Sequence, residues 1–284
     1  MTTQTESVPK SVGSMPMREL SSKTLPPKLF QKMNSGNLDI AVGLLSVVVF
    51  LIGWELAASY RLIDPLYSSS PSRIADAFIA TAKSQSFVRD LGTSAYEFGL
   101  GYLFAFCIGI PLGIAVGWYR LVRAIVTPFA TILYVTPYIA LTSLIIIWFG
   151  IGLWSKVVIV TWAGLFPILI ATEAGVRSVS GAYLDLARGF AARDMQIFRT
   201  VVLPACIPNI VAGMRLALGR SLVAMIFAEM FSSVAGIGNM IANAGANFQT
   251  DQVFVGVAIV SAAAVIMDAV LRFTQQRVAW WSGS

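Results

Sequence analysis

The sequence predicts an all-α integral membrane protein with about six transmembrane helices, and three observations carry that prediction. Hydrophobic residues make up 57% of the 284 residues and charged residues only 12%, with a mean hydropathy of +0.76, outside the usual composition of soluble domains. Apolar runs recur at the length that a helix rising about 1.5 Å per residue needs to cross a hydrocarbon layer of about 30 Å. The lysines and arginines fall mainly on alternate sides of those runs, as retention of positive flanks in the cytoplasm requires.

The six runs lie at about 40–60, 91–118, 124–149, 154–173, 205–231 and 253–273. Residues 1–37 are rich in Ser, Thr, Pro and Lys and read as a cytoplasmic tail, too polar and too long for the start of a signal peptide. Residues 38–276 form the transmembrane domain, and 277–284 a short C-terminal tail. Between the first two runs, Pro65 and Pro71 punctuate an external segment. Its Ile74, Ala77, Phe78 and Ala82 mark one face of a short amphipathic helix that caps the bundle or meets a partner.

Orientation follows from placing the N-terminus inside. Lys10, Arg18, Lys23, Lys28, Lys32, Arg120, Arg123, Arg177, Arg188, Arg193, Arg199, Arg272 and Arg277 are then cytoplasmic. Only Arg61, Arg73, Lys83, Arg89 and Lys156 are external, and the stretch 232–252 carries no basic residue.

In the second run, Gly101, Ala105, Gly109, Gly113 and Gly117 recur every fourth residue, leaving one side bare so that another helix can approach closely. Pro111 removes a backbone hydrogen bond there and bends the helix. In the third run, Pro137 interrupts the helix, and nearby hydroxyls satisfy the freed carbonyls or face a solute. Tyr134, Pro137, Thr142, Ser143 and, from the fifth run, Glu229 are therefore the candidate lining of a translocation path. Glu55, Glu97, Glu173, Arg215 and Arg220 also lie in apolar runs and are expected to face inward, the two arginines pairing across helices.

Several functions are excluded. There is no histidine, so the usual general base is missing and the common hydrolase constellations cannot be assembled. Cys107 and Cys206 sit in or beside apolar runs as packing residues, leaving neither a metal site nor a disulfide framework to be read. The net charge of +6 comes from residues that neither cluster nor interleave with exposed aromatics, so no nucleic-acid partner is expected. No lysine follows a glycine, so the phosphate-cradling G-x-x-x-x-G-K-[ST] loop is absent and the chain itself holds no cofactor.

The stretch 182–204 has helical spacing but too many charges to span a bilayer, which puts it at the membrane surface on the cytoplasmic side. Asp185-Leu186-Ala187, Ala191 four residues on, Val201 and Leu203-Pro204 resemble the EAA loop of importer permeases in the ATP-binding-cassette superfamily, with Leu186 replacing an alanine and Ala191 a glycine. Gln196 to Pro204, Pro208, Gly213-Met214-Arg215, Ala228-Glu229-Met230, the stretch 147–152 and Gly236-Ile237-Gly238 resemble the nitrate, sulfonate and taurine branch of that superfamily, over roughly 65–275. The branch often has arginine and proline where this chain has Tyr134 and Val135.

The resemblance implies the type I ABC importer permease fold, in which a short coupling helix docks into a groove on an ATPase. Tyr183, Asp185, Leu186, Ala187, Arg188, Ala191, Ala192, Gln196, Leu203 and Pro204 stand at the coupling positions. It also implies two ATP-binding subunits that hold ATP and Mg, a second permease chain that is its own copy, an external solute-binding protein, and residence in the cell inner membrane. The solute would be small, of the nitrate, sulfonate or taurine class. The competing class is an ion-coupled secondary transporter using Glu55, Glu229 and Asp268, for which no inverted repeat is apparent across the six runs.

Overall fold

The computed structural model describes residues 35–60, 62 and 68–278. Most of the expected 1–37 tail and residues 279–284 therefore lie outside the described residues. All regular structure among the described residues is helical. The chain divides into two units, Met1–Ile52 and Gly53–Ser284. The described part of the first is the leading stretch of α1 (Ser35–Ser59), whose apolar residues from Val42 to Ile52 are exposed, as lipid-facing side chains are.

In the second unit, α2 (Pro71–Ala82) begins where Ser70 caps it, its Oγ accepting the Arg73 amide at 3.3 Å with Pro71 at the first position. It packs on α11 (Thr250–Val278), and Arg73 pairs with Asp251 at 2.8 Å. The helix lies against α11, and only Ile74 and Ala77 of its four marked residues are half-buried. Phe78 and Ala82 remain exposed, because the Arg73–Asp251 pair and the bond from Ser69 Oγ to Asp251 fix the roll of the helix.

The centre of this unit is α6 (Leu153–Arg177), held between α3 (Gln85–Trp118) and α9 (Leu203–Ser232). The small residues of α3 face α6 as expected: a Cβ on Gly101 would fall 2.6 Å from Val160, and one on Gly113 2.7 Å from the Leu169 carbonyl. Backbone proximity of this kind replaces hydrophobic driving force inside lipid, where contact area and fit decide association. α3 runs unbroken through Pro111.

The third run is α4 (Arg120–Val135) followed by α5 (Tyr138–Phe149), bent by 100° at the interruption expected of Pro137. Pro137 has no N–H to give and drives Thr136 into the extended region at φ −61°, ψ 127°. The Ile132 carbonyl accepts both the Thr136 N–H at 3.0 Å and Thr136 Oγ1 at 2.8 Å, which closes the last turn of α4. Among the described residues five helices are thus long and apolar enough to cross a membrane, with the bent pair as a sixth candidate.

On the far side of α6 come α7 (Gly181–Gly189), α8 (Asp194–Ile197) and a π-helical turn (Phe198–Val202) that runs directly into α9. α10 (Ile237–Ala246) lies between α9 and α11.

Candidate functional site

The stretch 181–204 is built so that one face is fixed and the other is bare. Leu184, Phe198, Val202 and Leu203 pack with Val176, Cys206 and Ile210, tying the segment to the ends of α6 and α9, and Phe198 meets Trp118 of α3 edge-on at 5.8 Å. Tyr183, Leu186 and Met195 are left exposed, and Phe190 is 80% exposed. Ala187 and Ala192 are half-buried, while Asp185 and Arg188 form an exposed ion pair at 3.3 Å.

α7 ends on Ala191, which adopts φ 55°, the left-handed conformation that glycine takes most easily. Ala191 N–H donates to the Arg188 carbonyl at 2.8 Å and Ala192 N–H to that of Ala187 at 3.2 Å, closing the helix. Gln196 then accepts the Arg193 amide at 2.8 Å, which starts α8. Pro204 is the second residue of α9, directly after the π-helical turn.

Sequence reasoning missed a buried polar network at the other end of α3, α6 and α9. Asp90, Ser94 and Glu97 share one face of α3. Gly236 N–H donates to Asp90 at 3.1 Å, Ile237 N–H to Ser94 Oγ at 2.9 Å and Gly238 N–H to Glu229 at 2.6 Å. Lys156 pairs with Glu97 and donates to Ser233 Oγ at 3.0 Å. It is 4% exposed, so the lysine expected among the external flanking charges is a buried ion-pair partner. The available signal was the i, i+4, i+7 spacing of the three polar residues on α3.

The path candidates separate. Tyr134 lies beneath the guanidinium of Arg220, 4.5 Å from ring centroid to Cζ, and Pro137 is exposed at the bend. Ser143 is exposed on α5, whereas Thr142 is buried and donates to the Tyr138 carbonyl at 3.4 Å. Glu229 is 0% exposed and faces the 233–238 turn.

Arg215 pairs across helices with Asp268 at 2.7 Å, as its position required, and Arg272 shares that carboxylate. Glu173 stands between Arg123 and Arg177. The residues an ion-coupled carrier would need are thus each engaged: Asp268 with two arginines, Glu229 with an amide, and Glu55 with the backbone and hydroxyl of Ser72 at 3.0 and 2.7 Å. Among the described residues no group of three His, Cys, Asp or Glu is placed to hold a metal.

Residues 109–280 match the family described as binding-protein-dependent transport system inner membrane component. The taurine transport system permease protein TauC of Escherichia coli (strain K12) is 31% identical over 254 residues, covering 88% of this chain and 92% of that protein. The putative aliphatic sulfonates transport permease protein SsuC of Bacillus subtilis (strain 168) is 29% identical over 242 residues, 85% of this chain and 88% of that one. Among solved structures, a chain of a bacterial ABC transporter involved in the import of the acidic polysaccharide alginate superposes with a TM-score of 0.60 at 17% identity, covering 84% of this chain and 95% of that one. A chain of the inward-facing MetNI methionine ABC transporter gives 0.53 at 18%, with 70% and 97% covered. These structural likenesses carry the fold.

Proposed function

We propose a function from one premise: this chain belongs to the family of binding-protein-dependent transport system inner membrane components. It is a multi-pass inner-membrane permease subunit of an ABC importer, and ATP hydrolysis belongs to a separate subunit. The finer assignments are inferences. We assign it a small organic sulfonate or a related compact anion, since the relatives named for taurine and aliphatic sulfonates align over most of their length.

We place the N-terminus and α7 in the cytoplasm, and α7 in contact with one of two ATP-binding subunits, which hold ATP and Mg. A second copy of this chain completes the transmembrane pair, with residues 38–276 of each forming its membrane domain. An external solute-binding protein delivers the solute, and the path runs past Tyr134, Pro137 and Ser143, with Thr142 and Glu229 supporting it from within the bundle.

One observation supports this coupling role above the others. The stretch 181–204 exposes Tyr183, Leu186 and Phe190 beside the Asp185–Arg188 pair, while its opposite face is packed into the ends of α6 and α9. A partner seated on the bare face is linked mechanically to two spans. Leu186→Asp and Phe190→Asp are expected to abolish co-purification of the ATPase subunits and lower ATP-driven uptake by about tenfold or more, with membrane insertion unchanged. Co-purification at the wild-type level in both variants would remove the coupling role.

A further inference from the structure

Two arginines stand five residues apart in α9, and the fold treats them differently. Arg215 is compensated by Asp268 at 2.7 Å. Arg220, about 140° further round the helix, is paired with no carboxylate among the described residues and its guanidinium donates no hydrogen bond there; its contact is the face of Tyr134. An uncompensated cation within an apolar span is costly and persists where it faces water or a ligand. Stacking on a ring recovers only part of that cost.

The location is specific. Tyr134 ends the last turn of α4, Tyr138 opens α5, and the 100° bend lies between them. Tyr138 Oη donates to the Arg220 carbonyl at 3.4 Å, so both sides of the bend rest against this one residue. Arg220 itself is half-buried. It lies twelve residues from the end of α9 at Ser232 and further from Leu203, which puts it about 18 Å along the helix from the nearer end. Discontinuous helices are where transporters of several folds build solute sites.

We propose that Arg220 holds the anionic head of the transported solute at the α4–α5 bend, with Tyr134 as the positioning residue that keeps the guanidinium in place. This deepens the permease reading above and rests on it. The ring occupies one face of the guanidinium and leaves the N–H groups at its edge free, the fork that accepts two oxygens of a sulfonate, sulfate or carboxylate side by side. The recognised class is therefore a compact oxyanion. Neutral solutes of the same size gain nothing from the site.

The test uses the whole importer, with its ATPase subunits and its solute-binding protein, in proteoliposomes. ATP-driven uptake of radiolabelled taurine, ethanesulfonate and the uncharged dimethyl sulfone is compared. Wild type is expected to take up at least one of the two sulfonates and to reject dimethyl sulfone. Arg220→Gln should cut the sulfonate rate by about tenfold or more, and Arg220→Lys, which keeps the charge but not the fork, should lose less than Arg220→Gln while staying below wild type. Moving the cation across the contact, with Tyr134→Arg and Arg220→Val together, should restore uptake to within about fivefold. Arg215→Gln, which breaks a structural pair, is expected to lower thermal stability without admitting dimethyl sulfone.

Sulfonate uptake by Arg220→Gln at the wild-type rate overturns this inference and leaves the permease function standing. Equal loss of uptake and of thermal stability in Arg220→Gln, Arg220→Lys and the relocated pair also overturns it, by assigning a purely structural role. Failure of wild type to import either sulfonate counts against the sulfonate reading of the permease itself, and the inference falls with it.

Discussion

Glu229 accepts the Gly238 amide at 2.6 Å, and Gly236, two residues before, leaves no room above that carboxylate: a Cβ would fall 2.6 Å from Glu229 Cδ. Gly236 also sits at φ 119°, which side chains rarely adopt. Gly236→Ala should therefore destabilise by about 2 kcal/mol or more. Glu229→Ala leaves a buried amide unpaired beside a cavity and should cost about 2–4 kcal/mol. Glu229→Gln keeps an acceptor and should cost less. Thermal unfolding in detergent ranks the three, and equal melting temperatures for Glu229→Ala and wild type would contradict the assignment.

The Lys156–Glu97 pair is buried, with exposures of 4% and 3%. Removing one partner strands a charge, so Lys156→Met and Glu97→Gln are each expected to cost about 3–5 kcal/mol, whereas the double replacement should recover most of that loss. A double-mutant cycle of unfolding free energies in mixed micelles measures the coupling. Additive losses would mean that the charges are separately solvated.

Close approach of α3 and α6 is steric, and it has a simple consequence. Gly113→Val places a side chain where 2.7 Å separates a Cβ from the Leu169 carbonyl and from Thr172 Cβ. Overpacking of this kind costs about 1–3 kcal/mol in a soluble core, and here backbone lies on the opposing side. The folded yield of the variant, read by size-exclusion chromatography, should fall sharply. Gly99→Val, on the open side of the same helix, should be tolerated.

Ala191 pays a conformational penalty of about 1–2 kcal/mol for its left-handed backbone. Ala191→Gly should remove it and stabilise the end of α7 by up to about 1 kcal/mol after the loss of unfolded-state restriction is counted. Slower amide exchange at Phe190–Ala192 checks this, and unchanged or faster exchange would refute it.

The long apolar helices were legible because length and composition alone decide them. The stripe of small residues on α3 was legible too, since a four-residue repeat states which face another helix must meet. Pro137 announced a break, but the 100° angle depends on how α5 packs against α6 and α9, which no local pattern encodes. The burial of Lys156 was not legible, because a loop lysine and a buried one beside a helix start read alike until Glu97 is seen opposite. Arg215 was legible in kind, while its partner Asp268 lies 53 residues away. The left-handed turn at Ala191 was signalled only by resemblance, where a glycine would otherwise stand.

The five residues from Phe198 to Val202 wind more loosely than the helices on either side. Such a turn stores one surplus residue, as a slack thread does on a screw. Tightening it to ordinary α pitch advances everything beyond by one position, about 100° of rotation and 1.5 Å of travel. Arg220 would leave Tyr134 and Arg215 would leave Asp268 in the same stroke, so a partner that pulled on α7, as proposed above, would re-aim side chains well along α9.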